Sequence, residues 1–361
     1  MNSASRTATL QALHTARDQG LIRHWYAAQF TATTVEVLDF AAVDETWRAD
    51  SSWFDLASLT KAMCTAPLAL RAVADGRLAL TFEVGDLFES ARARGGRMLL
   101  WHLLCHCAGL KAYDHDLPAH APLTSSEDRA QFVAQRLADW IQDAPGAATL
   151  YSDLGYVTLG VLLEAVYGGS LDRIFLRWSQ RYCPELDLGF VSDDGSESST
   201  SKTGLRHVVP NGPDATPPWQ VHDPMAAHLG GVAGHAGLWG TGPAVVRWLQ
   251  QLLTCTRDVI GAQSSALYLA KPDFFPAATF TLGLDTADVP STAGHRHPAD
   301  AVGHLGFTGC SFWYSPSRAV GSVLLTDRAA QFPAGVLTDV PAANRAALFA
   351  LRQAVHGACW D

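Results

Sequence analysis

A serine and a lysine lie three residues apart in the stretch FDLASLTKAM, residues 54–63. The apolar spacing after Ser58 predicts a helix that packs against a core, with a kink at Pro67. Side chains at positions i and i+3 share one face of a helix, so Ser58 and Lys61 are predicted to touch. A serine hydroxyl becomes a strong nucleophile only when a neighbouring base removes its proton. The pair therefore indicates nucleophilic catalysis with Ser58 as the attacking group.

Lysine is an unusual choice at position 61 of this chain, which contains 22 arginines and 4 lysines. Arginine stays protonated at ordinary pH, whereas a buried lysine can lose its proton near neutrality. A position that requires a neutral amine can therefore be lysine and cannot be arginine. The alternative is that an arginine-rich chain still contains a few scattered lysines.

The same spacing recurs at Ser199 and Lys202, and Lys202–Gly204 spells a literal K-T-G. This second copy lies within VSDDGSESSTSKTG, residues 191–204. Clusters of serine, aspartate and glycine are typical of loops, where nothing desolvates a lysine. We interpret both matches as decoys and the acidic part, 191–197, as a solvated loop.

Two further stretches follow the serine motif, PGAATLYSDLGYVTLG at 145–160 and GHLGFTGCSFW at 303–313. Together the three stretches resemble the serine β-lactamase and penicillin-binding-protein superfamily, whose motifs follow the order S-x-x-K, Y-x-N and K-T-G. The resemblance is closest to the class C-like branch that includes β-lactamase-related carboxylesterases and D-aminopeptidases. It covers nearly the whole chain after residue 50, including WHLLCHCAGL at 101–110, which is similar to that branch's H-L-L-x-H-x-x-G-L helix.

The resemblance implies a role for each matching residue. It makes Ser58 the acylated nucleophile, Lys61 its base, and Tyr151 the residue that relays protons to the leaving group and the deacylating water. The segment His304–Gly306 stands at the K-T-G position. The strand after Gly306 is then expected to supply the backbone N–H of Phe307, which forms an oxyanion hole with that of Ser58.

Two residues depart from the family pattern. Asp153 replaces the asparagine of Y-x-N, and His304 replaces the lysine of K-T-G. Both replacements occur in the esterase-like relatives, so they are compatible with an active enzyme and count against lactam hydrolysis. They make this part of the pocket more negative than in lactam-hydrolysing relatives, so a neutral ester or an amine-bearing substrate is expected to bind better than an anionic lactam. An ionised Asp153 would also keep Lys61 charged and shift the role of base toward Tyr151.

Two other groups of residues are candidates for a site. His235 lies in the glycine-rich stretch 230–240 and could border the pocket. The stretch WHLLCHC contains four side chains that bind zinc in other proteins, yet a closed tetrahedral site rarely draws every ligand from one short helix. We therefore expect packing roles and no metal there for His102, Cys105, His106 and Cys107.

Both ends of the chain have the features of an α/β layer. The β-branched and aromatic stretches predict strands, and helical spacing predicts an opening and a closing helix. The middle of the chain is mostly helical in its apolar spacing. The prediction is an α+β, β-lactamase/DD-peptidase-like fold, with an antiparallel sheet flanked by helices and the active site at the domain interface. Residues 1–85 and 275–361 form the sheet domain in this prediction, and 86–274 form a mainly helical inserted domain.

The composition indicates a well-packed globular protein of 361 residues, 48% hydrophobic and 17% charged. Its formal net charge of −9 argues against nucleic acid or an anionic membrane as partner. The seven cysteines are odd in number and scattered, which favours free thiols. The N-terminus has no apolar signal region and no run approaches transmembrane length, so a cytoplasmic location is expected.

These observations predict a serine hydrolase that works through an acyl-enzyme without metal or cofactor. Small esters are the expected substrates. Hydrolysis of peptides that contain D-amino acids, or weak β-lactamase activity, is the enzymatic alternative. A non-catalytic ligand-binding module with the same fold is the alternative from another class.

Overall fold

The computed structural model describes residues 2–42, 47–93, 96–117, 122–191, 207–210, 219–333 and 340–361. The predicted decoys Ser199 and Lys202, with nearly all of the stretch 191–204, lie outside these ranges. In chain order the strands of the described residues are β1 (Trp25–Thr31), β2 (Val35–Ala41), β3 (Ser52–Asp55), β4 (Leu188–Phe190), β5 (His207–Val208), β6 (Leu238–Thr241), β7 (Asp285–Thr286), β8 (Val302–Leu305), β9 (Ser311–Ser315) and β10 (Val320–Thr326). The α-helices are α1 (Ser3–Asp18), α2 (Ala66–Ala74), α3 (Leu100–Leu104), α4 (Ser126–Trp140), α5 (Asp153–Tyr167), α6 (Leu171–Ser179), α7 (Pro224–His228), α8 (Gly242–Thr254), α9 (Thr256–Ile260), α10 (Ala262–Leu269) and α11 (Ala342–Gly357).

The larger sheet has six strands in the order β2-β1-β10-β9-β8-β7, and every neighbouring pair is antiparallel. Its strands come from both ends of the chain, as predicted. Helices α1 and α11 pack on one face, where Trp25 and Leu324 share a buried cluster with Leu13 and Leu351. Successive strand residues face opposite sides, and Tyr26 packs closely against Gly242 at the start of α8. Helices therefore flank an antiparallel sheet, which confirms the predicted α+β class.

A smaller, four-stranded sheet has the order β4-β6-β3-β5. Strand β3 pairs antiparallel with β6 and parallel with β5. This sheet is absent from the sequence-based prediction because every residue of β3 and β6 is buried. A strand buried on both faces does not alternate between apolar and polar residues. Strand β3 of this sheet ends at Asp55, three residues before Ser58. The predicted domain boundaries stay a prediction.

The helix that follows Ser58 changes form near Pro67, where the sequence predicts a kink. Residues Lys61–Thr65 form a π-helical turn, and Pro67 lies in the first turn of α2. Because proline has no N–H, the carbonyl of Met63 loses its helical partner. That carbonyl accepts a hydrogen bond from Nε1 of buried Trp248 at 2.8 Å instead. The wide turn places Lys61 at its first position, and such turns are frequent at functional sites.

Helix α5 runs through the core beside this turn, and 11 of its 15 residues are buried. A Cβ on Gly234 would lie 2.1 Å from the carbonyl oxygen of Tyr156, so only glycine allows this close approach. The approach brings the backbone at His235 to Lys61. Within the described ranges no single helix has the length and composition needed to cross a membrane, and α5 and α6 meet the criterion only as a pair bent by 71°.

Candidate active site

Ser58 lies between β3 and the helix, on a turn with an unusual backbone conformation. Ala57 directly before it has a φ of +46°, a left-handed conformation that costs a non-glycine residue on the order of 1–3 kcal/mol. The buried carboxylate of Asp55 stabilises the turn by accepting the N–H of Ala57 at 2.8 Å and that of His222 at 3.0 Å. The turn places Ser58 in the wall of a cavity.

Lys61 is completely buried, with 0% of its side chain exposed. Its Nζ donates a hydrogen bond to Oγ of Ser58 at 2.8 Å, so the predicted contact between the two is present. The same nitrogen donates to the backbone oxygen of His235 at 2.9 Å. It also lies 2.6 Å from Oδ1 of Asp153, with which it forms an ion pair. The structure therefore brings the predicted serine, lysine and aspartate together.

The protonation state of Lys61 follows from these contacts. Burial lowers the pKa of Lys61, but the carboxylate of Asp153 and the hydroxyl of Tyr151 raise it by more. The net pKa lies above its ordinary value, so Lys61 is an ammonium in the free protein. The idea that this position holds a neutral amine is wrong for the free protein, because Asp153 and Tyr151 together outweigh the burial. The expected effect of Asp153 on the charge of Lys61 is present.

Tyr151 lies beside this pair, with the centre of its ring 5.0 Å from Nζ of Lys61. Burial raises the pKa of Tyr151, while the charge of Lys61 and hydrogen bonds with Lys61 and Ser58 lower it. The net pKa is raised, so the hydroxyl is protonated in the free protein. His106 supports this tyrosine, since their rings lie 4.4 Å apart and Nδ1 of His106 accepts the N–H of Ser152 at 3.0 Å. The predicted packing residue His106 thus also positions Tyr151.

His304 lies on β8, 2% exposed, with its ring centre 6.1 Å from that of Tyr151. Its Nδ1 hydrogen-bonds the carbonyl of Leu305 at 3.0 Å, which makes Nδ1 the protonated nitrogen and leaves Nε2 as an acceptor. Burial, followed by the charge of Lys61, lowers the pKa of His304 to about 3. The residue at the K-T-G lysine position is therefore neutral, as expected.

Gly306 and Phe307 follow β8 and pack against the turn before Ser58. A Cβ on Gly306 would lie 2.9 Å from the carbonyl oxygen of Leu56 and 3.5 Å from Cβ of Ala57. Glycine is therefore required for the two segments to approach. Among the hydrogen bonds of the described residues, none uses the N–H of Ser58 or that of Phe307 as donor. These N–H groups are thus available for an oxyanion, as the resemblance predicts.

His235 contributes its backbone rather than its ring to the contacts of Lys61. Its side chain is 1% exposed, and Nε2 lies 2.8 Å from Oδ1 of Asp223. Asp223 also caps α7 by accepting the N–H of Ala226 at 2.8 Å. His235 therefore lies behind the pocket wall, and Asp223, which no sequence motif marks, lines the cavity itself.

Most of the predicted site residues line a single cavity of about 770 Å³. This volume accommodates a drug-sized ligand. Lys61 and His235 lie behind the wall of the cavity. Nζ of Lys61 connects both to the site, because it donates to Oγ of Ser58 and to the backbone oxygen of His235. The predicted residues that line the cavity are Ser58, Tyr151, Asp153, His304, Gly306 and Phe307.

The cavity is also lined by arginines that no sequence motif marks. Two of these arginines, Arg345 and Arg352, lie on α11. Their helical spacing could have predicted that they share one face, because positions 345, 348, 349 and 352 lie on the same side of the helix and all line the cavity. The expected disadvantage of anionic substrates rests on Asp153 and His304, so it applies near Ser58 and not to the cavity as a whole. The charged residues that line the cavity are Asp153, Asp223, Asp285, Arg328, Arg345 and Arg352.

The stretch WHLLCHC packs as predicted. Nδ1 of His102 accepts the N–H of Leu99 at 2.9 Å, and the thiols of Cys105 and Cys107 lie 3.4 Å apart in the core. All seven cysteines are free thiols. Within the described part of the chain, no three His, Cys, Asp or Glu side chains are arranged to hold a metal ion.

Curated proteins from two bacteria are similar to this chain in sequence. A relative from Escherichia coli O157:H7, named a D-alanyl-D-alanine carboxypeptidase, is 27% identical over 300 residues, which are 76% of this chain and 69% of the relative. An N-acetylmuramyl-L-alanine amidase from Bacillus subtilis is 25% identical over 76% of this chain and 68% of its own length.

Solved structures are similar over nearly the whole chain. EstCE1, described as a hydrolase with promiscuous acyltransferase activity, has a TM-score of 0.67 at 21% identity, covering 98% of this chain and 99% of that chain. The penicillin-binding protein homologue from Pyrococcus abyssi has a TM-score of 0.66 at 16% identity, covering 91% and 74%. At these identities the likeness shows the fold, which confirms the predicted β-lactamase/DD-peptidase-like class. The family model described as Beta-lactamase matches residues 18–343, so this chain belongs to the beta-lactamase family, whose members are serine hydrolases.

Proposed function

We propose that this chain hydrolyses small carboxylic esters through an acyl-enzyme formed on Ser58. The observation that carries the proposal is the contact of 2.8 Å between Oγ of Ser58 and Nζ of buried Lys61, beside Tyr151 and at the wall of a cavity of about 770 Å³. A serine with only a packing role would need neither a buried cation nor a tyrosine hydroxyl beside its own hydroxyl.

The proposed reaction has two halves. Oγ of Ser58 attacks the ester carbonyl carbon, the carbonyl electron pair moves onto oxygen, and the N–H groups of Ser58 and Phe307 bind the oxyanion. Ser58 loses its proton to the pair of Lys61 and Tyr151, and Tyr151 passes a proton to the departing alkoxide. Water then attacks the carbonyl carbon of the acyl-enzyme, and the same pair accepts the proton of the water. The bond between that carbon and Oγ of Ser58 breaks, the pair returns the proton to Oγ, and the carboxylic acid leaves.

The pair accepts a proton only after it has lost one. Lys61 is an ammonium and Tyr151 a phenol in the free protein, and both pKa values are raised. The active form is therefore favoured as the pH rises, and the two groups titrate as a coupled unit. Because the ion pair with Asp153 raises the pKa of Lys61, it also raises the pH at which the proposed activity appears.

Hydrolysis of peptides with D-amino acids is the second candidate, because the relatives named above include a D-alanyl-D-alanine carboxypeptidase and an amidase. Esters are favoured because His304 is neutral where lactam-hydrolysing relatives have a lysine that holds the substrate carboxylate.

The test measures kcat/KM for a nitrophenyl butyrate, a D-alanyl-D-alanine peptide and a penicillin with the same preparation. We expect the ester to be turned over best, and Ser58→Ala to lower its kcat by at least about a thousandfold, the scale of a lost nucleophile. Ser199→Ala is the matched control and should have no effect. Higher kcat/KM for the peptide would select the second candidate, and full activity of Ser58→Ala would contradict both.

A further inference from the structure

The turn between β8 and β9, residues 306–310, is held by side chains from outside it. Nη2 of Arg352 donates to the carbonyl oxygen of Gly306 at 2.7 Å and to that of Cys310 at 3.0 Å. Nη1 of Arg328 donates to the carbonyl oxygen of Phe307 at 2.8 Å. The carbonyl oxygens of this turn therefore accept hydrogen bonds from Arg352 on α11 and from Arg328, which follows β10.

Two donors hold the carbonyl oxygen of Gly306, Arg352 at 2.7 Å and the backbone N–H of Gly309 at 3.1 Å, and they thereby orient one N–H. The carbonyl of Gly306 and the N–H of Phe307 belong to the same peptide unit, which is planar and trans. In such a unit the C=O and N–H vectors point in opposite directions. Fixing the carbonyl of Gly306 on Arg352 therefore fixes the N–H of Phe307 on the opposite side of the strand.

The N–H of Ser58 is oriented in the same manner. The carbonyl oxygen of Ala57, which shares a peptide unit with that N–H, accepts Oγ1 of Thr60 at 2.7 Å and the N–H of Thr60 at 3.0 Å. Both N–H groups of the proposed oxyanion hole thus depend on a hydrogen bond to the preceding carbonyl. The difference is that the donor behind Phe307 carries a full positive charge.

Arg352 is poorly explained as a structural ion pair. It is 7% exposed, and among the ion pairs of the described residues none includes it. Its Nε has no hydrogen-bond partner among the described residues. A buried cation without a counter-ion is costly to fold. Hydrogen bonds from a charged donor are also shorter and stronger than neutral ones, and they polarise the peptide that accepts them.

We propose that Arg352 is a positioning residue for the oxyanion hole. It orients the peptide between Gly306 and Phe307, and its charge strengthens the N–H of Phe307 as a donor to the oxyanion. This inference rests on the proposed acyl-enzyme chemistry at Ser58. Since the oxyanion exists only in the tetrahedral states, Arg352 acts on kcat and leaves substrate binding nearly unchanged.

The test compares Arg352→Ala, Arg352→Lys and the unchanged protein with a nitrophenyl ester. We expect Arg352→Ala to lower kcat about 10- to 100-fold, below the 10²–10³ of a lost oxyanion donor, with KM within about threefold. Millimolar guanidinium should restore part of the kcat of Arg352→Ala, whereas sodium chloride at the same ionic strength should not. Arg352→Lys should retain an intermediate kcat.

Arg129→Ala is the control for loss of a buried arginine that does not line this cavity. Arg129 donates to the backbone carbonyls of Leu123 and Thr124 and, unlike Arg352, forms an ion pair with Glu164. This variant should lower the melting temperature without changing kcat per folded molecule and without rescue by guanidinium. If Arg352→Ala does not fold, the same kinetic comparison is made on Arg352→Lys.

Three results would overturn the inference: unchanged kcat in folded Arg352 variants, a change in KM alone, or equal restoration by sodium chloride. A change in KM alone would mean that Arg352 contacts the substrate. In each of these cases the loss of activity in Ser58→Ala would still stand, so failure of this inference is distinct from failure of the proposed ester hydrolysis.

Discussion

At the scale of single residues, the charge of Lys61 decides how the site handles protons. Asp153 lies 2.6 Å from its Nζ where the family pattern has an asparagine. Burial alone would lower the pKa of Lys61, and the carboxylate together with Tyr151 reverses that effect. A free protein with a neutral lysine would be ready to accept the proton of Ser58. In this chain the same proton transfer first requires deprotonation of the pair that Lys61 forms with Tyr151.

Asp153→Asn is expected to shift the pH dependence of ester hydrolysis toward lower pH. The substitution removes the charge that raises the pKa of Lys61 and leaves the burial that lowers it, so the pKa falls. An opposite charge at this distance is worth about 1–3 pH units. The measurement is the pH profile of kcat/KM, whose rising limb should move down by that amount.

Asp75→Asn, which removes a carboxylate paired with half-buried Arg71, serves as the control and should leave the profile unchanged. A rising limb that stays in place for Asp153→Asn would show that Lys61 does not titrate in the reaction.

Lys61→Arg is expected to lower kcat at least about 10²-fold, as severely as Lys61→Ala. A general base contributes on the order of 10²–10⁴, and arginine keeps the charge but cannot release its proton at ordinary pH. Kinetics with a nitrophenyl ester provide the measurement, and exposed Lys111→Arg provides a control that should be silent. Retention of most activity in Lys61→Arg would mean that the lysine serves only as a cation.

At the scale of elements, the close packing of α5 against residues 234–235 places the last partner of Lys61. Gly234 and Gly160 lie so close that a Cβ on either would be 2.8 Å from backbone atoms of the other. The carbonyl of His235, at 2.9 Å from Nζ of Lys61, comes from this segment. The glycine at 234 is therefore a requirement of the site as well as of the core.

Gly234→Ala is expected to destabilise the protein by roughly 1–3 kcal/mol, because the added Cβ would lie 2.1 Å from the carbonyl oxygen of Tyr156. Moving the segment away from α5 also moves the carbonyl of His235, so kcat should fall together with the melting temperature. Gly169→Ala is the control, since a Cβ at this position would lie 3.7 Å from Nη2 of Arg177, which is an ordinary van der Waals contact. An unchanged melting temperature for Gly234→Ala would contradict this view of the packing.

The sequence predicts an element well where its periodicity is local. The spacing of three residues between Ser58 and Lys61 predicts their contact directly. The aromatic and β-branched stretch 25–43 predicts one or two strands, and the structure has β1 and β2 there. Strands β3 and β6 are short and buried on both faces, so they show no alternation. Arg352 on α11 contacts Gly306, which lies 46 residues earlier in the chain and before β9 and β10. No local sequence pattern predicts such a contact.

At the scale of the whole molecule, the site is assembled from distant parts of the chain. Ser58 follows β3, Tyr151 precedes α5, and Phe307 follows β8. Family motifs in their known order allowed these three to be predicted without the structure. Asp223 and Arg328 could not be predicted in this way, because each lines the cavity only through the packing of its whole element.

The central claim is that Ser58 is the nucleophile. The most direct measurement is mass-spectrometric mapping of the protein after reaction with a fluorophosphonate, in which the serine oxygen bonds to phosphorus and fluoride leaves. We expect a single adduct on the peptide that contains residues 54–63, and no adduct in Ser58→Ala. An adduct on Ser199, or any adduct that persists in Ser58→Ala, would contradict it.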